Sequence, residues 1–210
     1  MTMAERRQTR PKTAGHLRAV PGGNPRPPDD ERERAEADPD DRTPLTAPMP
    51  LSEAYRRYAP YVAAIALRIL GHDDELDDLV QDVFLDATRG IAGLREPNAI
   101  KGWLARIAVR SAVRRLRKRR LLRALLLDHE PEHCERLLAP GANPEERALL
   151  DRVYRTLSKL AAEDRVAWVL RHVQGETLEA AATLLGCSVS TYQRRLRRAS
   201  EYLARELPDA

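Results

Sequence analysis

The sequence predicts an all-α protein: two small helical domains joined by a flexible linker and preceded by a disordered extension. Three observations carry this. Ala, Leu and Arg dominate, aromatic residues make up 4% and glycine is sparse, and unbranched side chains lose little rotamer freedom in a helix. Beyond residue 48, apolar residues recur at steps of three and four, the period of a helix with one buried face. Two such periodic blocks flank a stretch containing Pro131, Pro140, Gly141 and Pro144. With 42% apolar and 32% charged residues in a length of 210, the chain has room for one ordinary domain or two small ones.

Residues 1–48 are rich in proline, arginine and acids and almost devoid of large apolar side chains. They cannot bury enough surface to offset the entropy of ordering, so they are expected to be disordered. The first domain, 49–120, opens at Leu51 with Ser52 as the expected N-cap. Leu51, Tyr55, Tyr58, Val62, Ile65 and Ile69 lie on one stripe, and Gly71 ends the helix. A second helix puts Leu76, Leu79, Val80, Val83, Phe84 and Ala87 inward, with acids in its first turns where the helix dipole favours them. A third carries Ile100, Trp103, Leu104 and Ile107 inward and a separate stripe of Arg106, Arg110, Arg114 and Arg117. Residues 121–143 read as a linker with a helical start.

The second domain, 144–207, begins with Asn143 as N-cap and Pro144 at the first helical position. Leu150, Val153, Leu157 and Leu160 repeat along its first helix. The next, from about Glu163, buries Val166, Val169, Leu170 and Val173 and ends near Gly175. Thr177 then caps a short helix, Leu178 to Leu185, and Gly186 makes a turn that calls for positive φ. Ser188 caps a longer helix from Val189. On that helix Val189, Tyr192, Leu196, Ala199 and Leu203 face one way. Ser190, Thr191, Arg194, Arg197 and Arg198 face the other, with Gln193 and Arg195 between. An apolar side held on a scaffold and an opposite side of hydroxyls and arginines is what a helix needs to enter the DNA major groove, so this is a candidate helix-turn-helix.

The net charge of +4 hides a separation. No acid interrupts the basic residues between Lys101 and Arg123, whereas Asp73 to Asp82 is acidic; separated charge suits a polyanion on one face and a protein on another. No apolar run approaches the ~20 residues a bilayer span requires, so no membrane insertion is expected. The basic start, Arg6 to Lys12, is followed by no hydrophobic stretch and is not read as a secretory signal. Two cysteines, Cys134 and Cys187, cannot build a disulfide framework, which points to a reducing cytoplasm. The acids around His72 and Asp73 stand in a helix's first turns without a complementary ligand set. His129, His133 and Cys134 lack a fourth ligand, and Cys187 reads as a small hydrophobe. No catalytic residue, metal or cofactor is expected, and the chain is not read as an enzyme.

Two blocks resemble the extracytoplasmic-function sigma factors of bacterial RNA polymerase. DDLVQDVFLDATRG followed by KGWLARIAVRSAVRRLRKRR is similar to sigma region 2, and RHVQGETLEAAATLLGCSVSTYQRRL is similar to sigma region 4, in the family's order. The resemblance implies that core RNA polymerase and promoter DNA are partners, with an anti-sigma factor as a further candidate. Asp78, Leu79, Gln81, Asp82 and Phe84 fall in the segment implied to dock on the clamp of the largest polymerase subunit, and the second domain is implied to bind the flap. Arg106, Arg110, Arg114 and Arg117 are implied to hold the proximal promoter element. Ser188, Ser190, Thr191, Gln193, Arg194, Arg197 and Arg198 are implied to meet the distal one. The chain departs from the family in carrying Arg110 and Arg114 where Asn and Asp are usual, and Tyr192 where a small β-branched residue is usual. The alternative is a stand-alone helix-turn-helix regulator; such proteins usually dimerise, and no sustained coiled-coil seam is present.

Overall fold

A computed structural model describes residues 50–90, 99–125, 137–138 and 141–208; the expected disordered extension and most of the expected linker lie outside them. Among the described residues there are seven helices and no strand. The first module comprises α1 (Leu51–Leu70), α2 (Leu76–Thr88) and α3 (Ala99–Ala124). Helix α1 starts two residues earlier than Ser52 would allow as a cap, because the amides of Glu53 and Ala54 both reach the Pro50 carbonyl. It ends as expected at Gly71, whose φ of 78° lets its N–H return to the Leu67 carbonyl. Val62, Ile65 and Ile69 are buried, but Tyr55 is 48% exposed and only edges onto the Phe84 ring. The expected inward set of α2 is buried in full. Helix α3 runs past the expected boundary at 120, to Ala124.

The second module comprises α4 (Pro144–Ser158), α5 (Ala162–His172), α6 (Leu178–Leu185) and α7 (Val189–Glu206). Three of its helices carry the caps that local chemistry dictates. Asn143 and Glu146 close a reciprocal capping box on α4. Thr177 accepts from the Ala180 amide at α6, and Ser188 from the Thr191 amide at α7. Gly186, at φ 68°, supplies the left-handed turn between α6 and α7. Helix α5 differs from the amphipathic reading: Asp164 and Arg165 are buried together with Val166, Ala167, Trp168, Val169 and Leu170. It is a central element, packed against α7 and α6 within its own module and against α1 and α3 of the first.

The modules are therefore in contact, not held apart as the tethered arrangement suggests. Helix α3 packs on α1 and α2 on one side and on α5 and α6 on the other. Its buried Ala105, Ala108, Val109, Ala112, Val113 and Leu116 form one stripe and its buried Ile100, Leu104, Ile107 and Ser111 a neighbouring one, together too wide an arc for a single-sided amphipathic helix. The C-terminus of α1 is completed across the boundary. Tyr154 donates its hydroxyl to the Arg68 carbonyl at 2.7 Å. Arg165 donates Nε to the Ile69 carbonyl at 3.1 Å and a second guanidinium N–H to the Leu70 carbonyl at 2.5 Å. With Gly71 serving Leu67, all four carbonyls left over at the end of α1 have donors. Gly71 is needed twice, because a Cβ there would run into the Tyr154 ring.

Candidate nucleic-acid interface

Helix α7 is fixed by its apolar side. Tyr192, Ala199 and Leu203 are buried, and the Tyr192 hydroxyl donates to the Ala167 carbonyl of α5 at 2.7 Å. Burial pushes that phenol up to about 12, with nearby Cys187 and Glu176 adding to it and Arg171 opposing. The unusual tyrosine thus acts in packing: it bolts the helix to its scaffold from the side away from the arginines. On the opposite side Ser190, Gln193, Arg194, Arg197 and Arg198 are exposed, and Thr191 is half-buried. Ser188 is engaged as the cap and also meets the hydroxyls of Ser190 and Thr191.

The three exposed arginines are not equivalent. Arg198 donates twice to Asp164, at 3.1 and 2.7 Å, a bidentate pair with a carboxylate whose side chain is 10% exposed. Arg194 and Arg197 make no ion pair among the described residues and keep their donors for a ligand. Cys187 is a half-buried free thiol packed against the core, as its reading as a small hydrophobe implies.

Helix α3 presents its expected stripe to solvent: Arg106, Arg110, Arg114 and Arg117 are all exposed. Arg106 and Arg110 have no ion-pair partner among the described residues. Arg114 reaches Asp86 at 3.3 Å and Ser111 at 2.9 Å. Arg117 bonds Glu163 of α5, in the other module. Partial burial works against ionisation of Glu163, but the hydrogen bond and charge of Arg117 outweigh it and hold the carboxyl below its usual range. Two further arginines lie on the flank facing α2: Arg115 bonds Asp82 at 2.5 Å, and Arg119 bonds Glu75 at 3.1 Å. The basic run thus divides into a solvent-facing stripe and a set that clamps α2.

The acidic face of α2 is also divided. Asp78, Gln81 and Asp82 are exposed, whereas Leu79 and Phe84 are 0% and 4% exposed and belong to the core. Leu85, 58% exposed, was missed as a candidate docking residue; its signal is an apolar side chain one place beyond the buried stripe. Asp164 and Arg165 were missed as well, and no periodicity marks them. Among the described residues no group of three or more His, Cys, Asp or Glu is arranged to hold a metal, and no helix is long and apolar enough to cross a membrane.

Comparison with known proteins follows the same division. Residues 54–121 match the family described as Sigma-70 region 2, and residues 150–203 match Sigma-70, region 4. The chain is 33% identical over 153 residues to the ECF RNA polymerase sigma-E factor of Escherichia coli, covering 69% of this chain and 80% of that protein. It is 29% identical over 159 residues to the RNA polymerase sigma-H factor of Pseudomonas aeruginosa, covering 72% and 82%. It is 29% identical over 155 residues to the ECF RNA polymerase sigma factor SigE of Mycolicibacterium smegmatis, where it spans 59% of that protein's length. Among solved structures, the sigma factor RpoE crystallised with the anti-sigma factor NepR from Bartonella quintana shares the fold, with a TM-score of 0.57 at 24% identity over 75% of this chain and 96% of that one.

Proposed function

Because the chain belongs to the extracytoplasmic-function (ECF) family of RNA polymerase sigma factors, we propose that it binds core polymerase and selects promoters, with the two modules contacting separate DNA elements. The observation that carries this reading is the two-sidedness of α7: buried Tyr192, Ala199 and Leu203 fix it, and Arg194 and Arg197, exposed and without an ion pair among the described residues, stand opposite them. Such a helix can enter the major groove, where arginine donates to guanine edges or to phosphate. Ser190, Thr191, Gln193 and Arg198 complete the distal contact. In α3, Arg106, Arg110, Arg114 and Arg117 hold the proximal element through its phosphates.

The polymerase clamp is met by Asp78, Gln81 and Asp82, with Leu85 supplying an apolar contact among the acids. Leu79 and Phe84 support that face from within. Complementary charge steers such an encounter, and a small apolar centre slows its dissociation. The second module meets the flap, and an anti-sigma factor is a further partner of the same surfaces. Neither contact to DNA need be strong alone, since joining them through polymerase raises the effective concentration of the second.

The test is reconstitution. Purified chain is added to core polymerase lacking any sigma factor, and run-off transcripts are collected from a library of genomic fragments. Transcripts of defined length from a subset of fragments are expected only when the chain is present. A chain that binds DNA fragments but leaves core polymerase inactive on all of them is a stand-alone regulator instead.

A further inference from the structure

Of Arg194, Arg197 and Arg198 on the exposed side of α7, only Arg198 is held by an acid among the described residues. Its Nε donates to Asp164 Oδ2 at 3.1 Å and its Nη2 to Oδ1 at 2.7 Å. The pair is lopsided: the Asp164 side chain is 10% exposed and that of Arg198 56%. The acid is therefore set in the scaffold, and the guanidinium stands out from it. Asp164 lies in the first turn of α5 beside Arg165, which is 4% exposed and bonded to the Ile69 and Leu70 carbonyls, so the turn that carries it is anchored. One turn further along α5, the Ala167 carbonyl accepts the Tyr192 hydroxyl at 2.7 Å. Helix α5 thus holds α7 through Tyr192 and, separately, the head of Arg198 through Asp164.

A guanidinium is a planar fork of N–H donors with two usable edges. Asp164 takes the side edge, formed by Nε and Nη2. The end edge, one N–H from each terminal nitrogen, is left over, and its paired donors match N7 and O6 of guanine. Asp164 also cancels much of the arginine's charge and repels phosphate. The remaining donors therefore suit the uncharged edge of a base better than the DNA backbone. Fixing a long side chain before DNA arrives removes much of the rotamer entropy that it otherwise loses on binding. We propose that Asp164 is a positioning residue for promoter recognition: it presets Arg198 as the reader of one guanine in the distal element. Arg194 and Arg197, without such a partner, keep their full charge toward the same DNA. This inference rests on the sigma-factor reading for the identity of the element, but sequence selection by Arg198 is measurable without polymerase.

In the experiment, core polymerase reconstituted with the full chain selects from promoter fragments whose distal element is randomised. The retained sequences give the base preference at each position. The full chain alone is put through the same selection on short random duplexes. Arg198→Lys keeps the charge and an ion pair with Asp164 but has no second edge, and Asp164→Asn keeps the shape and removes the charge. The wild type is expected to prefer G·C roughly tenfold at one position where Arg198→Lys and Arg198→Ala both erase the preference. Other positions keep theirs. Asp164→Asn is expected to lower that same preference about threefold. It should also bind unselected duplexes more tightly, with a salt slope steeper by about one. Asp164→Asn combined with Arg198→Lys should lose no more preference than Arg198→Lys alone. Should Asp164→Asn fail to fold, Asp164→Glu, which keeps the charge but moves the carboxylate by one methylene, is expected to lower the same preference. Melting temperatures are recorded alongside, since a merely structural pair moves them and not the base preference. The proposal is overturned if the variants weaken binding evenly across all sequences, if Arg198→Lys keeps the wild-type preference, or if the folded Asp164 variants leave it unchanged. A chain that selects sequences alone but leaves core polymerase inactive overturns the sigma-factor reading instead, and its Arg198 and Asp164 profiles still decide on the pair. A chain that selects no sequence in either setting overturns both.

Discussion

Arg194, Arg197 and Arg198 carry the same charge on the same helix, yet only Arg198 already has a bidentate partner. Arg194→Ala and Arg197→Ala should therefore each weaken promoter binding by about 1–3 kcal/mol and leave core-polymerase affinity and melting temperature unchanged, as run-off titration, core binding and calorimetry would register. Arg198→Ala should in addition lower the melting temperature, because the partly desolvated Asp164 loses its counter-charge. A second prediction concerns tyrosine ionisation. Burial comes first for both Tyr154 and Tyr192 and pushes each to about 12 from 10.0; Arg165 and Arg68 oppose it at Tyr154. A phenol raised in the fold favours the folded state below pH 10, and that stability is lost as pH climbs toward 12. Absorbance at 295 nm should show late-titrating tyrosines, with Tyr154→Phe and Tyr192→Phe each removing one; burial, with Glu176 adding to it, also raises Tyr61. The stripe positions were legible from spacing alone. Their partners were not, because Asp164 lies 34 residues from Arg198 and Glu163 lies 46 from Arg117, separations no local pattern encodes.

Among the elements, α2 separates docking from stability most clearly. Combining Asp78→Asn, Gln81→Ala and Leu85→Ala should weaken core-polymerase binding without unfolding, since all three side chains are exposed; Asp82 is left in place because it holds the largely buried Arg115. Leu79→Ala should instead cost about 2–5 kcal/mol of stability, read by denaturant melting, because it empties a fully buried site. At α4, Asn143→Ala removes half of a capping box and should cost about 1 kcal/mol, visible as a lowered midpoint. Element starts and stops were the most legible layer. Asn143, Thr177, Ser188, Gly71 and Gly186 act through their own neighbouring backbone, and each does what its chemistry dictates. Ser52 was the exception, since the Pro50 carbonyl offered the first amides an earlier partner. Helix α5 was the least legible. Its polar Asp164 and Arg165 are buried because other elements, one of them in the other module, come to meet them.

At the scale of the whole molecule, the two modules and their order were readable in the sequence, but their contact was not. Nothing in periodicity or capping says that the end of α1 is completed by Tyr154 and Arg165. The sigma-factor assignment further requires that both modules read DNA at once, at a separation set by the polymerase that carries them. The most direct measurement is a map of transcript 5′ ends made on genomic DNA by core polymerase with and without the purified chain. A discrete set of chain-dependent starts is expected, each preceded by two short shared sequence elements at a constant spacing. Starts identical in the presence and absence of the chain would contradict the assignment, as would chain-dependent starts that share only a single element.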